Sequence, residues 1–279
     1  MRLLFLTSLV MIAFAANSVL NRMALVGDGT GPAAFAMIRL AAGAVFLLLL
    51  ATLRSDRAVP WRANGRVWGV LMLALYVLGF SFAYVSLNTG VGALILFGGV
   101  QITMFAGALI AREAVPAARW IGAAIAFGGL MVLLLPAGGV APDPVGALLM
   151  AAAAIGWGVY SLLGRGVDDP LGSTAANFAL ALPIGVVVFA IFSGEITPRG
   201  ATLAVISGAV TSGAGYALWY SVLPRLAASV AAVAQLTVPV IAAAGGVVFL
   251  GEPVSLRFFV AAALVLLGIA ISLRPSAKN

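Results

Sequence analysis

A few polar side chains interrupt an otherwise apolar sequence, and they are the only groups placed to do chemistry. Asn17, Tyr76, Gln101, Trp157, Thr211, Tyr216 and Gln235 each lie near the middle of a long hydrophobic run. A carboxamide offers two donors and an acceptor, enough to hold an ammonium or a carboxylate without a fixed charge. Phe80, Tyr76 and Trp157 add aromatic faces suited to an apolar side chain or a cation. This is the chemistry of binding, not of bond breaking. Cysteine and histidine are both absent, so there is no thiol nucleophile, no Cys/His metal site and no near-neutral acid/base group. No carboxylate pair or Ser/Lys arrangement falls within a run, so the chain reads as no enzyme, with no metal and no cofactor. The alternative for each residue is plain packing. A buried amide can bond a neighbouring helix for about 0.6 kcal/mol, and an aromatic ring can simply fill space.

The elements that must position these groups are membrane helices. Of 279 residues, 63% are hydrophobic and 8% charged, with a mean hydropathy of +1.19; a soluble domain carries about a quarter charged residues. Apolar runs at 3–25, 32–53, 67–87, 90–111, 117–135, 144–164, 172–192, 201–223, 226–250 and 255–273 predict ten spans, each close to the ~20 residues that cross a bilayer. Barrel strands would alternate over about ten residues, which these runs do not. The first run, after Met1-Arg2, has a signal-peptide look, but its apolar stretch continues to Leu25 and a retained helix is expected. The whole chain is then one membrane domain. Tight connections at Asn88-Thr89-Gly90 and Pro224-Arg225 predict antiparallel hairpins of helices 3 and 4 and of helices 8 and 9.

Charge sets the orientation. With the N-terminus inside, eleven basic residues fall on that side and Arg22, Arg199 and Arg257 on the other, while Arg39 lies within helix 2. The bias predicts both termini in the cytoplasm. Trp61, Trp68 and Trp120 fall on the same side as interfacial anchors. The alternating distribution also removes the nucleic-acid reading that a net charge of +7 might invite.

A weak internal repeat accompanies this topology. A shift of 143 aligns Ser18–Arg22 with Ser161–Arg165 and Phe35-Ala36 with Phe178-Ala179. A shift of 139 pairs Arg112-Glu113-Ala114-Val115 with Gly251-Glu252-Pro253-Val254, and Gly129 with Gly268. Five helices per copy is odd, so halves 1–139 and 140–279 must enter the membrane from opposite faces. The expected fold is thus an all-α integral membrane protein of ten helices in two inverted five-helix repeats, an architecture that suits alternating access. Ala152-xxx-Gly156, Gly208-xxx-Ser212 and Gly122-xxx-Ala126 place small faces where helices can approach closely. Pro183 and Pro239, inside helices 7 and 9, are candidate bending points.

Arg39, the acidic residues Glu113 and Glu252 closing the fourth helix of each half, and Pro239 together resemble the drug/metabolite transporter superfamily in its EamA-type form. The first half departs from that pattern, with Val100 where Pro239 has its mate. Within the superfamily the chain is most similar to YddG-like exporters of aromatic and other amino acids. The resemblance implies a central cavity between helices 1, 3, 4, 6, 8 and 9 and amino-acid efflux across a bacterial inner membrane. It favours a structural role for Arg39, while Glu113 and Glu252, at helix ends, read as caps or interfacial ion pairs rather than proton carriers. From the residues alone, Arg39 could instead meet a substrate carboxylate, snorkel outward, or pair with Asp28 or a carbonyl end. Trp219, Tyr220 and Tyr160, nearer helix ends, read as interfacial anchors. No acidic residue sits at the centre of a span, which predicts facilitated or weakly coupled transport. The expected partners are a small-molecule substrate and the lipid bilayer, and a monomer is compatible with the sequence. Rival readings are a carrier of other metabolites or hydrophobic cationic drugs, of nucleotide sugars or of lipid headgroups, then a channel, then a membrane-bound enzyme.

Overall fold

The computed structural model describes residues 1–54, 58–112, 116–134, 141–164, 167–226, 234–235 and 237–272. Those residues form ten helices in chain order and no strand: α1 (Arg2–Gly27), α2 (Pro32–Arg54), α3 (Arg66–Ala83), α4 (Thr89–Ile110) and α5 (Ala117–Leu134), then α6 (Pro144–Leu163), α7 (Pro170–Phe192), α8 (Pro198–Arg225), α9 (Thr237–Leu250) and α10 (Leu256–Ser272). Eight are long and apolar enough to cross a membrane. The two shorter ones are α9 and α10, and α9 is preceded by residues outside the described set. Large apolar side chains point outward, Ile110 at 84%, Val248 at 73% and Leu148 at 72% exposure. Water does not solvate such a surface; lipid does.

Local chemistry explains where the helices begin. Asp143, Asp169 and Thr197 each accept from the backbone N–H three residues on, at 2.7, 2.9 and 3.0 Å. Each is followed by a proline at the first helical position, Pro144, Pro170 and Pro198, where the missing N–H costs nothing. Two helices end alike: Arg112 and Gly251, just past α4 and α9, both take left-handed backbone, φ 54° and 64°.

Small residues then decide how closely the helices pack. A Cβ at Gly156 would lie 2.7 Å from the Met72 carbonyl, so α6 meets α3 backbone to backbone. At Gly208 it would strike the Arg39 carbonyl, locking α8 onto α2. Gly122 and Gly268 do the same for α5 and α10. The principal pairings are α5 with α10, α3 with α6, α2 with α8, α2 with α7, α4 with α6, α1 with α8, α4 with α9 and α1 with α9. The contacts also fix direction: Gly79 meets Leu149 while Gly156 meets Met72, so α3 and α6 are antiparallel.

Following these directions gives the bundle two ends. One holds the α1 C-terminus, the α3–α4 turn and the α9–α10 connection. The other holds the start of α5 and the C-terminal ends of α4, α6, α8 and α10. Here α1 runs toward the first end and α6 away from it.

Several boundaries differ from expectation. The run 67–87 stops as helix at Ala83 and continues as turn. Helix 8 is not regular: its middle, Ile206–Ala214, is wound as a π-helix. Pro239 is the third residue of Thr237–Leu250, whose N-terminal side borders residues outside the described set. Helix α7 runs unbroken through Pro183. Glu113, Arg165, Arg274 and Lys278 lie outside the described residues.

A candidate substrate cavity

One end of the bundle is shut by a compact set of polar contacts. Arg22, in the last turn of α1, donates from Nη1 to the carbonyls of Tyr84 and Val85, both at 2.8 Å. Its Nε meets Glu252 Oε1 at 3.1 Å. The second carboxylate oxygen of Glu252 accepts from the Thr89 backbone N–H at 2.8 Å. The two charged side chains are only 12% and 11% exposed. One ion pair therefore joins α1, the α3–α4 turn and the α9–α10 connection. Beside it, Ser86 Oγ donates to Asp143 at 2.9 Å, and Gly31 N–H to the Glu195 carbonyl at 2.9 Å.

Toward the opposite end the helices part around a cavity of about 580 Å³, within the range of small-molecule sites. Its inner wall is Phe14, Val100, Gln101, Trp157, Tyr216 and Gln235, and Trp219, Tyr220 and Phe105 continue it outward. Arg119, Val167, Pro224 and Ser272 form the rim. The lining includes no acidic residue among those described. Trp157 is the organising ring. It stacks on Tyr216 with centroids 5.1 Å apart and on Tyr160 at 5.6 Å, and tilts against Tyr76 at 5.0 Å.

The residues singled out from sequence divide into two groups. Gln101, Trp157, Tyr216 and Gln235 line the cavity. Asn17, Tyr76, Phe80 and Thr211 lie behind the wall, all at most 6% exposed. Asn17 Oδ1 accepts from Ser207 Oγ at 2.8 Å and Thr211 Oγ1 at 2.5 Å, so these two residues join α1 to the π-wound stretch of α8. Tyr76 and Phe80 flank Arg39, whose guanidinium carbon lies 5.3 and 5.1 Å from their ring centroids.

Arg39 neither snorkels, pairs with Asp28 nor bonds a backbone carbonyl among the described residues. It is fully buried, not snorkelled, and Asp28 is engaged by the Thr197 hydroxyl instead. Its Nε donates to Ser212 Oγ at 3.2 Å and its Nη2 to Tyr76 Oη at 3.0 Å.

The anchor reading of Trp219, Tyr220 and Tyr160 is corrected. The first two line the cavity, and Tyr160 is buried, accepting from Asn177 Nδ2 at 3.2 Å. Being near a helix end did not put them in headgroups, because the cavity extends to that end. Phe14 and Ser161 also line it, unnoticed in sequence because neither stands out in an apolar run. The pair Arg66–Asn177 was missed too. Arg66 Nη1 donates to Asn177 Oδ1 at 2.6 Å and to the Ser173 carbonyl at 2.9 Å, tying α3 to α7.

Comparisons with known proteins agree with this architecture. Residues 144–274 match the model of the EamA-like transporter family. A Pseudomonas aeruginosa protein, Uncharacterized protein PA1977, is 45% identical over 276 residues, covering 98% of this chain and 95% of its own. A solved crystal structure shares the fold at a TM-score of 0.68 and 21% identity, covering 95% of this chain and 98% of that one. With the family match, the full-length relative and ten apolar helices in agreement, the chain belongs to the EamA-like transporter family, as a multi-pass membrane transporter of small molecules.

Proposed function

We propose that the protein exports small amphipathic solutes, amino acids with aromatic or hydrophobic side chains foremost, across a bacterial inner membrane by alternating access. The observation that carries this reading is the contrast along one axis: a cavity walled by aromatic rings and two carboxamides, open at one end and latched by Arg22–Glu252 at the other. Rings suit an apolar side chain, and Gln101 and Gln235 suit its polar head. Because positive residues concentrate around the open end, that end faces the cytoplasm, with both termini inside.

Alternation needs a second state, and the inverted halves 1–139 and 140–279 would supply it by exchanging shapes. Three observations support the repeat. The pairing of α3 with α6 has its mate in α1 with α8, and α4 with α6 in α9 with α1. Arg112 and Gly251, aligned at an offset of 139, share left-handed backbone at the same helix end. The same offset turns the close approach of Gly129 to Val265 into that of Gly268 to Ala126.

The carrier is facilitated or weakly coupled, since all eight acidic residues of the sequence lie in connections or at helix ends. Counterflow of labelled phenylalanine in proteoliposomes tests the whole reading. Exchange against internal phenylalanine is expected; failure to exchange any hydrophobic amino acid overturns the substrate class. Uphill accumulation driven by an imposed pH gradient alone overturns the uncoupled version. The acid-free lining weighs against hydrophobic cations as the main cargo.

A further inference from the structure

Arg39 is a cation with no counter-ion among the described residues. It is fully buried, about 10 Å along α2 from Pro32, and no carboxylate among the described residues lies within ion-pair distance. Of the acidic side chains described, Asp28 is held by Thr197, Asp143 and Asp169 cap α6 and α7, Glu252 pairs with Arg22, and Asp168 and Glu195 are exposed. An arginine at this depth ordinarily faces an anion or water. Here one face of the guanidinium is served by Ser212 and Tyr76, and the rings of Tyr76 and Phe80 flank it. The remaining nitrogen, Nη1, has no hydrogen-bond partner.

A second orphan stands beside it. The Tyr216 hydroxyl adjoins the same guanidinium and, buried, makes no well-formed hydrogen bond of its own. Two buried donors, one charged, stand side by side with no acidic side chain against them among the described residues. Tyr216 is also a wall residue of the cavity, with Trp157 stacked against its ring. Trp157, Tyr216 and Tyr76 thus form a layer of rings between Arg39 and the chamber.

We infer that Arg39 Nη1 and Tyr216 Oη form the receptor for a carboxylate of the transported molecule, reached past the Trp157–Tyr216 stack. The inference rests on the amphipathic-substrate reading above and sharpens it: the cargo class is small organic carboxylates, with or without an amino group. A carboxylate offers two oxygens, one for the guanidinium N–H and one for the phenol O–H, and brings the missing charge. The carboxamides of Gln101 and Gln235 then lie nearer the rim than the anion, where they suit a neutral or ammonium group.

Four compounds with one ring system test this: phenylalanine, 3-phenylpropionate, phenylalaninamide and phenethylamine, competing with labelled phenylalanine for binding to the purified protein. The two acids are expected to compete within a few-fold of each other. The amide and the amine should be about 10- to 100-fold weaker, the loss of a charge-assisted pair. In Arg39→Met that preference collapses to about two-fold or less, while Arg39→Lys keeps part of it, having the charge without the fork. Should Arg39→Met fail to fold, Tyr216→Phe reduces the same preference with the charge in place. Equal competition by acid, amide and amine overturns the inference and leaves the carrier reading standing. So does an undiminished acid preference in Arg39→Met or Tyr216→Phe. If none of the four binds, the substrate reading itself falls, and this inference with it.

Discussion

The two ends of this bundle are held by different forces. At the sealed end a single ion pair, with three backbone partners, joins segments that are far apart in sequence. At the open end no such pair crosses the cavity mouth among the described residues; neighbouring helices are fixed by backbone contact at Gly122 and Gly268 and by the Arg66–Asn177 bond. Polar contacts of a few kcal/mol can be made and broken within a transport cycle, whereas glycine-mediated packing cannot be undone piecemeal. On the proposed cycle, the ion pair at the sealed end would act as a gate and the glycine-packed α5–α10 seam as part of the fixed frame.

The strongest way to break that distinction is to disturb the frame. In Gly268→Leu the new side chain would overlap the Gly122 carbonyl and the Ala126 backbone, and folded yield should fall more than about tenfold, as overpacking against backbone costs several kcal/mol. Size-exclusion recovery from mild detergent checks it. Disturbing the latch should leave folding intact. Glu252→Gln removes the charge facing Arg22, a loss of about 1.5–3 kcal/mol. Because the chain contains no cysteine, Ser18→Cys gives a unique thiol, buried at 1% exposure in α1, one turn below Arg22. Its maleimide labelling from the sealed side should rise about tenfold in the Glu252→Gln background.

Cavity changes should spare both ends. Trp157→Ala and Gln235→Ala are expected to reduce phenylalanine counterflow about 3- to 10-fold at normal yield, with Ser18→Cys labelling unaltered. The smallest effect concerns the repeat. Arg112 bears left-handed backbone that its mate Gly251 takes without strain, so Arg112→Gly should stabilise by about 1 kcal/mol. Thermal unfolding should shift up by about 2 °C, and Gly251→Ala should shift it down.

Much of the architecture was legible in the sequence, for a physical reason. Membrane helices are long apolar runs ended by charges and prolines, and nine of the ten expected spans begin within three residues of the observed helices. The site was only half legible. Polarity at mid-depth identifies a side chain that needs a partner, but not whether that partner is solute or another helix. That depends on helix rotation, which a run of Ala, Leu and Val hardly encodes. Asn17 and Thr211 turned toward each other and Gln101 and Gln235 toward the cavity, with nothing in the flanking residues to separate the cases. The π-wound stretch Ile206–Ala214 resets the rotation of α8 within one helix, and no period of 3.6 anticipates it. Tyr220 was misread for another reason: depth along a helix says nothing of what lies beside it.

The central claim is that the two ends open in alternation. Spin labels at Ser86→Cys and Ser255→Cys report the sealed end, and labels at Ala117→Cys and Asp168→Cys the open end, all four positions being exposed. Adding phenylalanine to labelled protein in lipid nanodiscs should lengthen the first distance in part of the population and shorten the second in the same proportion. Distances that stay fixed at both ends, or that change in the same sense, would contradict alternating access.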